Sequence, residues 1–349
     1  MTAAGTSAPR TTVAVLGASG YAGTELLRLL ARHPDVQVVY VSSEQHRGKR
    51  LRDVHPFLDG IFDLTLEAHD AAQACIADVV FTAVPHATAV PLVRTVLEKG
   101  RRVLDLSADF RFTDAAEYER WYGRHGAPEL LREAVYGLPE LYRERIAASR
   151  LVAVPGCYPT GALLGLVPLA RAGAIGGPVV VDAKSGTTGA GRAPKVDQLF
   201  AEVQENFRPY GVLSHRHGPE IEQELRAAGC AHPALFVPHL LPVRRGILST
   251  LYVPGVPAGA DLDAIFDAAY RDEPFVFVRG EGPPPELREV RGTNRCVLGW
   301  RRDVRSGHAV VMTAIDNLGK GAAGQAVQCL NLLLGLPEAT GLGDPALSP

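Results

Sequence analysis

The stretch "TTVAVLGASGYAGTELLRLLARH", residues 11–33, restricts the fold of this chain more than any other segment. A run of β-branched and small apolar residues (11–17) stops at a glycine, and leucines at helical spacing (24–33) follow a short turn. Strand, turn and helix in that order make a βα unit. Its glycines, Gly17, Gly20 and Gly23, stand where the chain must bend and where backbone must approach a ligand closely. The free N–H groups and dipole of a helix start attract a pyrophosphate. A GxxGxxG turn alone is a weak signal; set between strand and helix it is a dinucleotide-binding fingerprint. Gly17, Ser19, Gly20, Tyr21, Ala22 and Gly23 are the candidate cofactor contacts. The other reading is a tight strand–helix turn that binds nothing.

The alternation continues. Strands are expected at 36–43, 77–86 and 101–109, with a helix after His86, up to the "VAVPGC" stretch. Strand–helix alternation of this kind gives a parallel doubly wound sheet. Beyond Cys157 the texture changes. Segments 178–186, 234–243, 247–255, 275–280, 294–303 and 308–316 read as strands with fewer helices between them, so this half is expected to be a largely antiparallel sheet. The last helix is expected at 321–336. A length of 349 residues suits two domains. Residues 1–10 read as a disordered tail.

A net charge of −2, with both signs interspersed, argues against nucleic acid as a main partner. No apolar run approaches the roughly 20 residues that cross a bilayer, and "MTAAGTSAPR" lacks the apolar core of a secretory signal. The five cysteines have no CxxC pair and an odd count, which suits free thiols rather than disulfides or structural zinc. A cytoplasmic location is expected.

The second strand bears on the dinucleotide. NAD-preferring folds usually end it in Asp or Glu, which binds the ribose 2′-hydroxyl. Here it ends in Ser42 and Ser43, followed by "EQHRGKR". Serine hydroxyls with Arg47 and Lys49 accommodate a 2′-phosphate that a carboxylate would repel, which favours NADP. Glu44 is close enough to leave NAD open, and Arg47–Arg50 also read as a plain solvated loop.

Cys157 stands between two prolines and two glycines in "VPGCYPTG", at a strand end and a helix start. Ligands of such sheets bind at those carboxyl ends. A helix N-terminus favours thiolate over thiol, so the position is expected to lower the Cys157 pKa. Gly156 leaves room for a substrate. A proton shuttle is offered by "HRHGPEIEQEL", where His215 and His217 precede a helix opened by Pro219. A zinc site of both histidines with Glu220 is the other reading of that motif. His86, His239 and His308 read as structural.

The segment "VAVPGCYPTGALLGLVP" closely resembles the active-site signature of the N-acetyl-γ-glutamyl-phosphate reductase family. "GASGYAG", "DLSADFR", "YGLPEL", "HRHGPEI" and "PHLLPVRRGILST" match the same family in order, so the resemblance covers nearly the whole chain. It implies an α/β fold with a Rossmann-like NADP-binding domain and an α+β dimerisation and substrate domain with a mixed, largely antiparallel sheet. The cofactor domain would comprise 11–156 and 317–345, the catalytic domain 157–316, and the last helix would return to the cofactor domain. The implied enzyme is a homodimer or homotetramer that reduces an acyl phosphate and releases phosphate. Cys157 would be the nucleophile and His217 the acid/base, with His215 less favoured.

Guanidinium binds phosphate and carboxylate bidentately, so Arg111 and Arg245 are candidates for the substrate's anions; structural ion pairs are the alternative. Ser185 and Gly186 follow a strand and are candidates near the nicotinamide, with Asn317 as a carboxamide contact. Rival functions are an aspartyl-phosphate or carrier-linked acyl-phosphate reductase and a non-catalytic NADP-binding redox sensor.

Overall fold

A computed structural model describes residues 10–347, so all but the last residue of the expected tail lies outside the described residues. Two seven-stranded sheets organise the chain. The first contains β1 (Thr11–Leu16), β2 (Val36–Ser42), β3 (Leu66–Glu67), β4 (Val79–Thr82), β5 (Arg102–Asp105), β6 (Val135–Tyr136) and β7 (Leu151–Ala153). Its order is β3-β2-β1-β4-β5-β7-β6, and every pairing is parallel. The strands read as unbroken apolar runs because both faces are covered. Helices Tyr21–Leu30 and Gly324–Leu333 pack one face, through Leu26, Leu27, Val327 and Leu330 against Val13 and Phe81. Helix Ala89–Glu98 covers the other, through Val90 and Val93 against Leu16 and Val80. The last helix therefore does return to the first sheet.

The second sheet contains β8 (Val179–Ser185), β9 (Arg208–Pro209), β10 (Ala234–Leu240), β11 (Ile247–Val253), β12 (Val276–Val278), β13 (Cys296–Asp303) and β14 (His308–Ile315), in the order β12-β13-β14-β11-β8-β10-β9. It is mixed. β8–β10 and β12–β13 are parallel, while the other four pairings are antiparallel. Alternation is clean in β8: Val179, Val181 and Ala183 are buried, and Val180, Asp182 and Lys184 are half-buried on the opposite face. Helices Cys157–Arg171, His217–Ala227 and Leu262–Tyr270 fill the buried face through Leu163, Leu166, Ile221, Leu225 and Phe266. On the other face Leu235 and Tyr252 remain 38% and 42% exposed.

Sequence periodicity missed β3, β6 and β9. Each is two residues long, too short to show any alternation. No helix among the described residues is long and apolar enough to cross a membrane.

Candidate active site

The carboxyl ends of β4, β5 and β7 face the end of β8 across a cavity of about 490 Å³, whose lining includes Ser107, Arg111, Cys157, Ser185, His215 and His217. The strand ends are tied together beneath it. Thr82 Oγ1 donates to Asp105 Oδ1 at 2.5 Å, and Ser107 Oγ donates to Asp105 Oδ2 at 2.7 Å. Burial pushes the Asp105 carboxyl up to about 6, against those two hydrogen bonds.

Cys157 is the first residue of its helix, with Gly156 as an extended N-cap that offers no side chain. The Gly156 N–H donates to Glu220 Oε1 at 2.8 Å. A Cβ on Gly156 would lie 2.5 Å from His217 Nε2, and one on Gly321 would lie 2.8 Å from Cys157 Cβ. The room that Gly156 leaves is thus filled by the His217 imidazole. A backbone turn ahead of the last helix closes on the cysteine from another side. This enclosure overturns the expected low thiol pKa. Burial pushes the Cys157 thiol up to about 11, outweighing the Arg111 cation and the helix-start amides that pull it down. The resting side chain is a thiol, and its deprotonation needs a base.

His217 supplies one. Burial, then the neighbouring His215, Arg111 and Arg216, hold it well below the ordinary imidazole range, so it is neutral and able to take a proton. Its Nδ1 is buried and has no hydrogen-bond partner among the described residues. His215 is pushed down to about 4, by burial first and Arg216 second. Its Nδ1 accepts from the His217 backbone N–H at 3.1 Å, which leaves the proton of the neutral ring on Nε2. The two rings stand edge to face with centroids 4.7 Å apart, and both lie against Tyr158. Glu220 faces away from this pair, toward Tyr136, Gly156 and Arg111, so the HxH-plus-Glu220 ligand set is not assembled.

The two arginines fare differently. Arg111 is buried at the cavity wall, donating to the Val154 and Leu106 carbonyls and pairing with Glu220 at 3.3 Å. Arg245 grips Glu25 of the first helix through both carboxylate oxygens at 2.9 Å, and its Nε and Nη2 reach Asp316. Its donors are engaged and it does not line the cavity. The ion-pair reading therefore fits Arg245, as a clamp between the first helix and the end of β14.

On the cofactor side, helix Tyr21–Leu30 starts from Gly20 with no side-chain cap and no acidic residue in its first turn. Gly17 has φ +87°, and a Cβ there would lie 2.4 Å from the Ala83 carbonyl oxygen. A Cβ on Gly23 would lie 2.3 Å from the Gly17 carbonyl oxygen. The turn is compact because nothing larger fits: the Gly17 and Ala18 N–H groups donate to the Ser42 carbonyl and that of Gly20 to the Gly17 carbonyl, so the N–H groups left for an anion are those of the helix's first turn, Tyr21 to Gly23. Ser19 Oγ and Ser43 Oγ are hydrogen-bonded at 2.7 Å, linking the turn to the end of β2. Ser42 is buried and bonded to His69 Nδ1 at 2.7 Å. Glu44 accepts from the His69 backbone N–H at 2.6 Å. Arg47 and Lys49 are exposed on the loop that follows, and Arg192 donates to the Ser19 carbonyl at 2.9 Å. Asn317 Nδ2 donates to Thr188 Oγ1 at 2.9 Å, while its Oδ1 accepts from Gly246 N–H at 2.8 Å, fixing the loop after Ser185 and Gly186. These groups fit a dinucleotide: helix-start amides, hydroxyls and exposed cations at the end of β2, with the Glu44 carboxylate there engaged through Oε1 by the His69 N–H.

Sequence reasoning passed over Glu220's positioning contacts and the Tyr158–Tyr210 hydroxyl pair at 2.8 Å. It also placed His86 among structural histidines, whereas His86 lines the cavity beside Arg216. His239 Nδ1 lies 3.2 Å from Asp182 Oδ1 with its ring stacked on Phe207, and His308 bonds the Ser306 carbonyl. The available signal for His86 was its position just past the end of β4.

Fold and site are those of a nicotinamide-dependent semialdehyde dehydrogenase. Residues 12–149 match the family described as semialdehyde dehydrogenase, NAD binding domain, and residues 157–317 match semialdehyde dehydrogenase, dimerisation domain. Among solved structures, aspartate semialdehyde dehydrogenase II of Vibrio cholerae superposes with a TM-score of 0.72 at 18% identity, covering 94% of this chain and 99% of that one. The Candida albicans aspartate semialdehyde dehydrogenase with NADP gives 0.68 at 16% identity, covering 93% and 98%. N-acetyl-γ-glutamyl-phosphate reductase of Desulfotalea psychrophila is 50% identical over 97% of this chain and 99% of its own length. That of a Geobacter species is 52% identical over 95% and 97%. The chain belongs to the N-acetyl-γ-glutamyl-phosphate reductase family.

Proposed function

We propose that this chain reduces N-acetyl-γ-glutamyl phosphate to N-acetyl-L-glutamate 5-semialdehyde with release of phosphate, a step of arginine biosynthesis, using NADPH. The observation that carries the reading is a cysteine at a helix start sharing a cavity with an imidazole that abuts the glycine before it and that its surroundings keep neutral. His217 takes the Cys157 proton as the sulfur attacks the acyl carbon, and the carbon–oxygen bond to phosphate breaks to leave a thioester. When bound, the nicotinamide supplies the hydride for reduction at that carbon. The oxyanion that hydride addition leaves re-forms the carbonyl as the carbon–sulfur bond breaks to free the aldehyde, and the proton held by His217 returns to the sulfur. The N–H of Cys157, which lies against its own sulfur at the helix start, stabilises negative charge on that oxygen.

Gly17, Ser19, Gly20, Tyr21, Ala22 and Gly23 hold the diphosphate in this reading, with Ser185, Gly186 and Asn317 toward the nicotinamide. NADP over NAD is supported by Ser42 and Ser43 at the second strand's end, by Arg47, Lys49 and Arg192 nearby, and by Glu44 being engaged with the His69 N–H. Arg111, already partnered by Glu220, keeps a place at the cavity wall and is proposed to lower the thiol pKa and meet substrate charge with its remaining donors. The domain boundaries follow as 11–156 with 317–345, and 157–316. A homo-oligomer is supported by the dimerisation-domain match and the partly exposed apolar face of the second sheet. A cytoplasmic setting suits an enzyme with five free thiols.

The test is NADP reduction with N-acetylglutamate semialdehyde and phosphate. The reading fails if aspartate semialdehyde is strongly preferred. Cys157→Ser should lower turnover by about 10⁴-fold or more while NADPH still binds; unchanged turnover would remove Cys157 from the chemistry.

A further inference from the structure

The cationic side chains that reach the cavity besides its histidines are Arg111, Lys195, Arg208 and Arg216. Two of the arginines are neutralised. Arg111 pairs with Glu220 and Arg208 with Asp197, each at 3.3 Å. Arg216 has no carboxylate partner among the described residues. Its guanidinium carbon instead lies 5.0 Å from the centre of the Tyr122 ring, and its Nη1 is 3.1 Å from His86 Nε2. Lys195 likewise has no carboxylate partner among the described residues and is exposed, as Arg216 is, but no aromatic ring there orients it.

This arrangement has a chemical sense. A guanidinium stacked on an aromatic face loses rotamer freedom while its edge N–H groups stay available, and that edge forks onto carboxylate or phosphate. Arg216 also stands between His215 and His217 in sequence, so the turn that sets the imidazoles sets its backbone too. The acyl phosphate of the proposed reaction brings a phosphoryl group and a carboxylate into the cavity. Of the two arginines expected from sequence to meet those anions, Arg111 is already partnered by Glu220 and Arg245 is consumed by Glu25 and Asp316.

We propose that Arg216, held by Tyr122 and His86, binds an oxyanion of the substrate at the cavity mouth. The group it takes is the phosphoryl moiety or the α-carboxylate. The inference rests on the proposed reaction for its substrate, and the reverse direction separates the two sources because phosphate and semialdehyde are then distinct reactants.

With purified full-length protein, Arg216→Ala should raise the KM for phosphate by about 10- to 100-fold if it holds the phosphoryl group, and the KM for semialdehyde by that factor if it holds the carboxylate. Arg216→Lys should recover part of the loss, since charge remains without the fork. Both KM values within twofold of wild type would overturn the proposal. Alkylation of Cys157 gives a readout without turnover. Inorganic phosphate or N-acetyl-L-glutamate should slow it in wild type and lose that effect in Arg216→Ala. If wild type binds either anion but never turns over, the reaction assignment falls while the oxyanion site stands. Equal protection in both proteins, or none in wild type, rejects the site.

Discussion

Two helix starts follow parallel strands of the same sheet, and they are built from the same parts to opposite ends. Each has an extended glycine N-cap, Gly20 or Gly156, with no side-chain cap and no acidic residue in the first turn. At Tyr21–Leu30 the start is open, with Tyr21 38% exposed. At Cys157–Arg171 it is closed: His217 fills the space over Gly156, Gly321 abuts Cys157, and a buried carboxylate takes the Gly156 N–H. The helix dipole favours an anion at both. Only the open start can receive a hydrated ligand without paying for burial. At the closed one, desolvation overrides the dipole and leaves a protonated thiol.

Adding one methyl group to each start should separate their roles. Gly23→Ala puts a Cβ 2.3 Å from the Gly17 carbonyl, a backbone atom that cannot yield. It should weaken NADPH binding by ~100-fold and destabilise the protein by about 1–3 kcal/mol, as overpacking does; fluorescence titration and thermal melts measure both. Gly156→Ala meets the edge of the His217 ring, which can tilt into the cavity. There kcat should fall ~10- to 100-fold while NADPH affinity stays within about twofold. Loss of cofactor binding in Gly156→Ala would show that the two starts are not independent. A smaller effect tests the open start alone. Replacing Arg47 and Lys49 with alanine should raise the KM for NADPH by ~10-fold and leave that for NADH unchanged. Equal changes for both cofactors would remove the 2′-phosphate from this loop.

The open start was legible in sequence because its cause is local. Strand, glycine turn and helix occupy 23 consecutive residues, 11–33, and the ligand logic needs no distant partner. The closed start was half legible. "VPGCYPTG" located the cysteine and "HRHGPEI" the imidazole, each from its own neighbourhood. What sequence could not convey was their contact, since Gly156 and His217 are 61 positions apart and meet only when β7 and the second-sheet helices pack. The thiol pKa went wrong for the same reason: the dipole is a local property and burial is not. Arg245 shows the limit most plainly. Its type suited a substrate anion, but Glu25 and Asp316, 220 and 71 residues away, occupy its donors in the fold. The two-residue strands β3, β6 and β9 exist only as partners of longer neighbours, so no periodicity announces them.

The smallest expected effect isolates charge from burial at the closed start. Glu220 accepts from Tyr136 Oη and the Gly156 N–H through Oε1, and pairs with Arg111 through Oε2. Its negative charge raises the Cys157 thiol, whereas Arg111 lowers it. Glu220→Gln keeps the shape and an oxygen for Gly156 and Tyr136, but removes the charge and leaves Arg111 without its counter-ion. Both changes favour thiolate. In wild type, with a folded pKa of about 11, alkylation of Cys157 should climb about tenfold per pH unit through neutral and mildly alkaline pH without levelling. In Glu220→Gln the same curve should shift to lower pH, so that alkylation at a fixed pH near 8 is ~3- to 10-fold faster. The melt should drop, because a buried guanidinium has lost its partner. Turnover should fall despite the more acidic thiol, since the carboxylate that fixes the peptide before Cys157 holds it less firmly. A curve that does not move would mean burial alone sets the thiol, and the difference between the two helix starts would reduce to solvent access.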